Sequence, residues 1–358
     1  MLNQILEAYG LPATGCQIEK LETGLINRTW KIKTHNQEYI LQQINTHVFK
    51  SPRDISDNML KLSSFLAAQA PDYLFVSPVA ALSGDFLVQD RAGEYYRLMP
   101  YVKNSHTIDT VSTRQQAFEA ARQFGAFSSL LSGFNTAALH YTLPDFHNLS
   151  LRFTQFEQAY RQAKPERLQE ADAAIEAAFR HQDLVNTYET LKNDSSIPLR
   201  VIHHDTKISN VLFDENDKGL CVIDLDTVMP GYFISDLGDM MRTYLSPVNE
   251  EEQDLSKIKV REDYFKAVME GYFGEMAGEL TDAEQALCLY AGKYMIYMQA
   301  IRFLTDFLNG DIYYATSYPK QNLRRTQNQF TLLQCYREAE QGLEKIVRDL
   351  ISKEKTAG

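Results

Sequence analysis

Apolar and polar positions alternate with a period of two over three short stretches near the N-terminus, 17–21, 29–34 and 38–43, with Gly24 and Asn27 and then His35 and Asn36 between them. That alternation predicts strands joined by tight turns, hence a small antiparallel sheet after a short first helix. From about Ser51 the period lengthens to that of a helix reaching about Gln69, with Pro52 in the first turn, where a missing amide hydrogen costs nothing. Further strand candidates lie at 74–78, 85–89 and 95–99 before Pro100 interrupts the pattern. The linker 101–105 leads into a long helical region whose Thr113 and Gln116 have capping-box spacing. Helical periodicity runs to about Leu191, gives way over 199–231 to short apolar runs separated by polar loops, and resumes from Ser235 to the end. The pattern predicts an α+β protein of two lobes, a small sheet-bearing one over 1–103 and a larger, mainly helical one over 104–358.

A chain of 358 residues, 44% hydrophobic and 23% charged, can bury a substantial core in about two domains. Its formal net charge of -11 repels phosphodiester backbones, so a nucleic-acid partner is not expected. Cys16, Cys221, Cys288 and Cys335 form no CxxC pair, which argues against zinc and a disulfide framework and for reduced thiols in a cytoplasm. The start, MLNQILEAYGLP, lacks a basic segment followed by a sustained apolar run, so export is not expected. The most apolar long stretch, 286–304, contains Lys293, Gln299 and Arg302 and reads as a buried helix rather than a membrane span. No internal repeat or low-complexity tract is present, and no obligate protein partner is evident.

The polar loops within 199–231 hold the chemistry. Asp205 and Asn210 stand in the HxDxxxxN spacing of a phosphoryl-transfer loop, and Asp224 ends the next apolar run, where such a site keeps a metal-binding aspartate. Asp205 is suited to orient a substrate hydroxyl and accept its proton. Asn210 and Asp224 offer hard oxygen ligands for Mg2+ on nucleotide phosphates, and Asp226, on the same side of an extended segment, either ligates or supports the ion. Lys207 either neutralises a transferring phosphate or is a solvated loop lysine. His203 and His204 lack the complementary ligands of a zinc site and read as loop-holding residues. Asp236 either accepts hydrogen bonds from the loop backbone or caps its own helix.

Nearer the N-terminus, the turn ETGLINRTW carries a single glycine, Gly24, and either lets amides approach phosphates or is a hairpin turn with no ligand. Met99, Tyr101 and Val102 lie in YRLMPYV, either a hinge whose backbone meets an adenine or a plain linker. Arg302 falls close to the apolar face of Leu287, Tyr290, Tyr294 and Met298 and needs a partner: Asp306, one helical turn on, or a substrate at the cleft floor. Asp311 and Tyr313 would add polar and stacking contacts there, or pack into the core.

Beyond these readings, TGLINRTW, YILQQINT, SIPLRVIHHDTKISNVLFD, VIDLDTVMPG, DLGDMMR and IRFLTDFLNGDIYYATSYPKQNLRRT resemble the aminoglycoside phosphotransferase and choline kinase-like superfamily, and within it the N-acetylhexosamine 1-kinases. The resemblance runs through nearly the whole chain. It implies a bilobal protein-kinase-like fold that uses ATP and Mg2+ to phosphorylate the anomeric hydroxyl of N-acetylglucosamine or N-acetylgalactosamine. It also implies Asp205 as base, Asn210 and Asp224 on the metal side, Arg302 and Tyr313 in the sugar-side block, and Asn27 approaching the sugar from the glycine turn. One departure from the wider kinase pattern stands out: Gln42 occupies the slot of the lysine on the third strand, and a neutral amide cannot supply that charge. Mg2+ or Lys207 are then the candidates for compensation at the phosphates. A kinase for another small alcohol, such as an aminoglycoside or choline, and a catalytically inactive nucleotide-binding protein are the alternatives.

Overall fold

The structure, a computed structural model, describes residues 2–12, 15–21 and 26–357, with side chains up to residue 353. Helix α1 (Leu2–Ala8) precedes β1 (Gln17–Leu21), β2 (Arg28–Lys33) and β3 (Glu38–Gln43), then α2 (Pro52–Gln69), β4 (Val88–Gln89) and β5 (Tyr95–Pro100). The strands form one antiparallel sheet in the order β1-β2-β3-β5-β4. Alternation along β3 and β5 sends Leu41, Tyr96 and Leu98 to one face, where they close a small core with Ile5, Leu6 and Tyr9. Ile40, Gln42, Arg97 and Met99 take the other face, and Ile40 and Met99 join the large core that α2 helps to build.

Two strand expectations change. Residues 74–78 form no ladder: the apolar run is there because Val76 packs into the large core, and burial alone does not make a strand. The candidate at 85–89 shrinks to the two residues of β4, whose pairing with β5 ends at Val88 and Tyr96. Pro100, by contrast, sits inside β5 as its last residue, opposite Tyr39, where a missing amide donor is tolerated at a strand end.

The helical part opens with α3 (Arg114–Leu130). Its capping box forms as the spacing predicts: Thr113 Oγ1 accepts from Gln116 N at 3.2 Å, and Gln116 Oε1 accepts from Thr113 N at 3.2 Å. There follow α4 (Leu149–Gln162), α5 (Pro165–Glu170), α6 (Asp172–Arg180), α7 (Asp183–Lys192), β6 (Arg200–Ile202), β7 (Val211–Phe213), β8 (Gly219–Val222), β9 (Met229–Gly231) and α8 (Ile234–Tyr244). The chain ends in α9 (Glu262–Met276), α10 (Asp282–Ala286), α11 (Cys288–Asn309), α12 (Gln321–Glu338) and α13 (Glu340–Ala357). β7 and β8 form a hairpin, and β6 pairs with β9, so both ends of the 199–231 segment are drawn together.

Helix α11 is the axis of this part. Tyr290, Tyr294, Tyr297 and Ile301 are buried along it, each such side chain contributing about 1.5–3 kcal/mol by leaving water. No described helix is long and apolar enough to cross a membrane. α8 lies against α11 at Gly238, where an added Cβ would come within 2.3 Å of Ala291 O. Only glycine permits that approach, and it sets the position of the helix that holds the site below.

Candidate active site

After β6 the backbone turns sharply at His204, whose φ is +64°, and places Asp205 at the loop's tip. Helix α8 holds this turn from behind. The Asp236 carboxylate accepts from His203 N at 2.9 Å and His204 N at 2.7 Å, and Asp239, one turn further on, accepts from Thr206 N at 3.0 Å. Thr206 Oγ1 donates to Asp236 O at 2.8 Å, and Tyr244 OH donates to Thr206 O at 2.6 Å. Asp236 is therefore a loop brace: α8 begins after Phe233 with no side-chain cap. Burial pushes the Asp236 carboxyl up to about 6, against the pull of His203 and the two amides.

The histidines are structural at their visible contacts. His203 Nε2 donates to Ile223 O at 2.9 Å, its carbonyl accepts from Thr227 Oγ1 at 2.6 Å, and its ring meets the edge of Phe124, tying the Asp205 loop to the Asp224 loop. His204 Nδ1 donates to Ile202 O at 3.1 Å. Burial pushes its imidazole down to about 4, so it is neutral at ordinary pH.

Asp205 Oδ2 lies 3.2 Å from Lys207 Nζ, so the two candidate residues of the loop face each other. Although burial pulls the other way, Asp205, with Asp239 and Asp224, holds the Lys207 ammonium above its ordinary value and hence charged. Asn210 Nδ2 donates to Asp205 O at 2.9 Å, and Asn210 O accepts from Ile223 N at 2.8 Å. Among the described residues nothing donates to Asn210 Oδ1.

Asp224 adopts the left-handed region at φ +61°, and its carboxylate has no hydrogen-bond donor among the described residues. It is reached by solvent yet lies deep among protein atoms. This position and the nearby Asp226 and Asp205 carboxylates push it up to about 7. An exposed carboxylate without a protein donor, and an amide oxygen that no described residue engages, on segments tied by the Ile223 N to Asn210 O bond, are hard oxygen donors of the kind that fits Mg2+, which takes few protein ligands and completes its shell with phosphate and water. Among the described residues, no group of three or more His, Cys, Asp or Glu side chains is placed to hold a metal ion.

Asp226 faces the sheet. Its Oδ1 pairs with Arg97 Nη1, and its Oδ2 accepts from Asn27 Nδ2 at 2.7 Å; both carboxylate and guanidinium are almost wholly buried. Arg97 Nε donates to Gln42 Oε1 at 2.9 Å, and Asn27 Oδ1 accepts from Asn45 N at 3.0 Å. Asn27, Gln42 and Asp226 thus meet in one network. Met99 and Tyr101 close the sheet at Ile40 and at Glu38 O, and Val102 O accepts from Ser105 Oγ at 2.7 Å. Gly24 lies outside the described residues.

Arg302 does not pair with Asp306. That carboxylate is saturated by Ile312 N at 3.0 Å, Tyr313 N at 2.8 Å, Tyr314 N at 2.9 Å and Asn322 Nδ2 at 2.9 Å, and so hangs the 311–314 loop on α11. Asp311 ties the same loop to Arg167 at 2.7 Å. The half-buried Arg302 guanidinium instead stands 5.4 Å from the Phe146 ring and 5.7 Å from the Tyr314 ring, with Gln299 Oε1 at 3.3 Å. Phe146 stacks on His147, and His147 lies 5.3 Å from His204, so this aromatic wall adjoins the Asp205 loop. Tyr313 is 71% exposed at its rim, edge-on to Tyr314.

Sequence reasoning passed over Arg97, Asp239, Tyr244 and the Phe146–His147 pair. Arg97 left a signal: a charged residue at an inward position of an otherwise apolar strand needs a buried partner. The others left none, because Asp239 and Tyr244 act from α8, and Phe146 and His147 from the turn before α4, on a loop distant from them in the chain.

Residues 17–268 match the model of APH, the phosphotransferase enzyme family. Among solved structures, a microcompartment-associated aminopropanol kinase is 15% identical, with a TM-score of 0.65 over 96% of this chain and 97% of its own. An amicoumacin kinase in complex with AMP-PNP and Ca2+ is 13% identical, with a TM-score of 0.63 over 93% and 92%. A choline/ethanolamine kinase family protein from Mesorhizobium loti is 15% identical, with a TM-score of 0.54 over 97% and 95%. At such identities these likenesses show the fold: an antiparallel sheet followed by a helical part, as in kinases. The family match covers well over half of the chain and contains the Asp205, Asn210 and Asp224 constellation, and the chain belongs to the phosphotransferase enzyme family.

Proposed function

We propose that the protein transfers the γ-phosphoryl group of ATP to the anomeric C1 hydroxyl of an N-acetylhexosamine, N-acetylglucosamine or N-acetylgalactosamine, in a cytoplasm. Asp205 orients the hydroxyl and receives its proton, and Lys207, already charged and 3.2 Å from Asp205, meets the transferring phosphoryl oxygens. Asn210 Oδ1 and Asp224 would hold Mg2+, with Asp226 as a further ligand or support, and the ion would supply neutralisation of phosphate charge. The hinge after β5, Met99 to Val102, receives the adenine. The sheet-bearing lobe then extends to about residue 103.

The observation that carries the acceptor is Arg302. A half-buried guanidinium with no carboxylate partner among the described residues stands in the wall beside Asp205, and Arg152 adds positive charge nearby. An ammonium-bearing acceptor, such as an aminopropanol kinase takes, would meet an uncompensated cation there. A neutral polyol with an acetamido oxygen meets a donor and two aromatic faces. Asn27 and Tyr313 flank that acceptor.

The test is incubation with Mg·ATP and, separately, N-acetylhexosamines, hexoses, aminoglycosides, choline and aminopropanol, with phosphorus NMR of the products. A sugar 1-phosphate from the N-acetylhexosamines is expected, and Asp205→Asn should lower its rate by about 10²–10⁴ while nucleotide binding persists. A phosphoester at any other position, or turnover of the amines alone, would sink the acceptor assignment.

A further inference from the structure

The charge missing from β3 is present one strand over. Gln42 and Arg97 are direct cross-strand partners on the face of the sheet that meets α2 and Asp226, so their side chains project together. Gln42 Oε1 accepts from Arg97 Nε at 2.9 Å and fixes the guanidinium plane. Nη1 pairs with Asp226 and touches Met59 Sδ of α2 at 3.6 Å. Among the described residues no acceptor holds Nη2. In kinases the strand lysine serves the phosphates and is seated by a glutamate of the neighbouring helix. Here α2 presents Met59, a thioether that cannot seat a cation by charge, and the counter-ion comes from Asp226, two residues after Asp224.

We propose that Arg97 is the cation from the sheet that binds the nucleotide phosphates in place of a β3 lysine, with Gln42 and Asp226 holding its guanidinium so that Nη2 is left to a phosphate oxygen. The assignment rests on the phosphotransferase reading and is independent of which acceptor is used. It explains why Gln42 is tolerated in the lysine's slot: the amide has become the clamp of an arginine. A lysine at 97 would lose this, because one ammonium cannot hold the planar fork that reaches Gln42, Asp226 and phosphate at once.

The experiment is calorimetric titration of the full chain with ADP and with adenosine, first in EDTA and then in Mg2+. Absence of ADP binding to the wild type in both conditions would overturn the phosphotransferase reading itself. Given binding, Arg97→Gln is expected to weaken ADP in EDTA by about tenfold, the scale of one charge-assisted hydrogen bond, and to leave adenosine affinity unchanged. Loss of the buried partner of Asp226 threatens folding, so the neutral pair Arg97→Gln with Asp226→Asn is compared with Asp226→Asn alone, where the same tenfold ADP-specific loss is expected. Circular dichroism decides which comparison applies. Equal ADP affinity with and without Arg97, in whichever comparison folds, would reduce Arg97 to a structural counter-ion and end the inference.

Discussion

His204 is buried behind Asp205, facing His203, His147 and the Asp236 carboxylate that holds its backbone amide. With its imidazole pushed down to about 4 in the fold, against 6.5 ordinarily, the unfolded chain binds a proton in that window and the native state does not. Its contribution to stability is therefore complete above about pH 6.5 and lost as the pH falls toward 4, a swing of about 3 kcal/mol. His147, which burial together with His204 and Arg302 pushes well down, acts in the same direction. Asp236, raised to about 6, acts oppositely: the fold keeps a proton that the unfolded chain releases from about pH 4, so its contribution falls as pH rises to 6. His204→Asn keeps a residue tolerant of φ +64° and removes one titration, so its melting temperature should fall less steeply than the wild type's from pH 6.5 to 4. Identical slopes would clear His204 of this role. At this scale Asp205, Asn210 and Asp224 stand out as candidates in the chain because one loop holds the first two at a fixed spacing and the third lies two residues beyond β8. For Arg97 the strand pattern shows only that a buried partner is needed; which partners it takes is not legible, because they lie 55 and 129 residues away.

Helix α8 acts as a unit, and its function depends on how close it lies to α11. Asp236, Asp239 and Tyr244 all reach the Asp205 loop from it, and Gly238 fixes its distance from Ala291. Gly238→Ala forces a Cβ to within 2.3 Å of a backbone oxygen, which side-chain adjustment cannot relieve. The expected cost is at least about 1–3 kcal/mol, with a fall in kcat larger than the change in nucleotide affinity, since the loop moves before the sheet does. Denaturant melts and steady-state kinetics check it; unchanged kcat in a destabilised variant would detach α8 from the chemistry. The start of α3 was legible from its capping box and both ends of β3 from alternation, whereas the end of α3 at Leu130 was not, because helical periodicity continues to about Leu191. The 74–78 stretch misled because its apolar side chains serve the core without a ladder, a distinction that depends on neighbours absent from the local sequence.

The sheet and the helical part meet through Asp226, with Asn27 and Arg97 as donors from one side and Asn58 Nδ2 reaching Val228 O at 3.1 Å beside it. Asn27→Ala removes the bond to Asp226 and the support of Asn45 N but leaves the buried ion pair, so the fold should persist. Amide exchange across 101–105 should rise and the KM for acceptor should increase by roughly three- to tenfold, as a contact of about 1 kcal/mol is lost. Unaltered exchange in that linker would mean that Asn27 does not help to hold the two parts together. By itself the sequence determined the α+β order of elements and the phosphoryl-transfer loop, because periodicity, caps and motif spacing are properties of contiguous residues. Only the tertiary structure decided that Asp236 braces the loop, that Arg302 leaves Asp306 for an aromatic wall, and that Arg97 on β5 pairs with Gln42 and Asp226. Each of those outcomes is a choice among charged partners distant in the chain, and burial, which makes an unpaired charge costly, is what forces the choice.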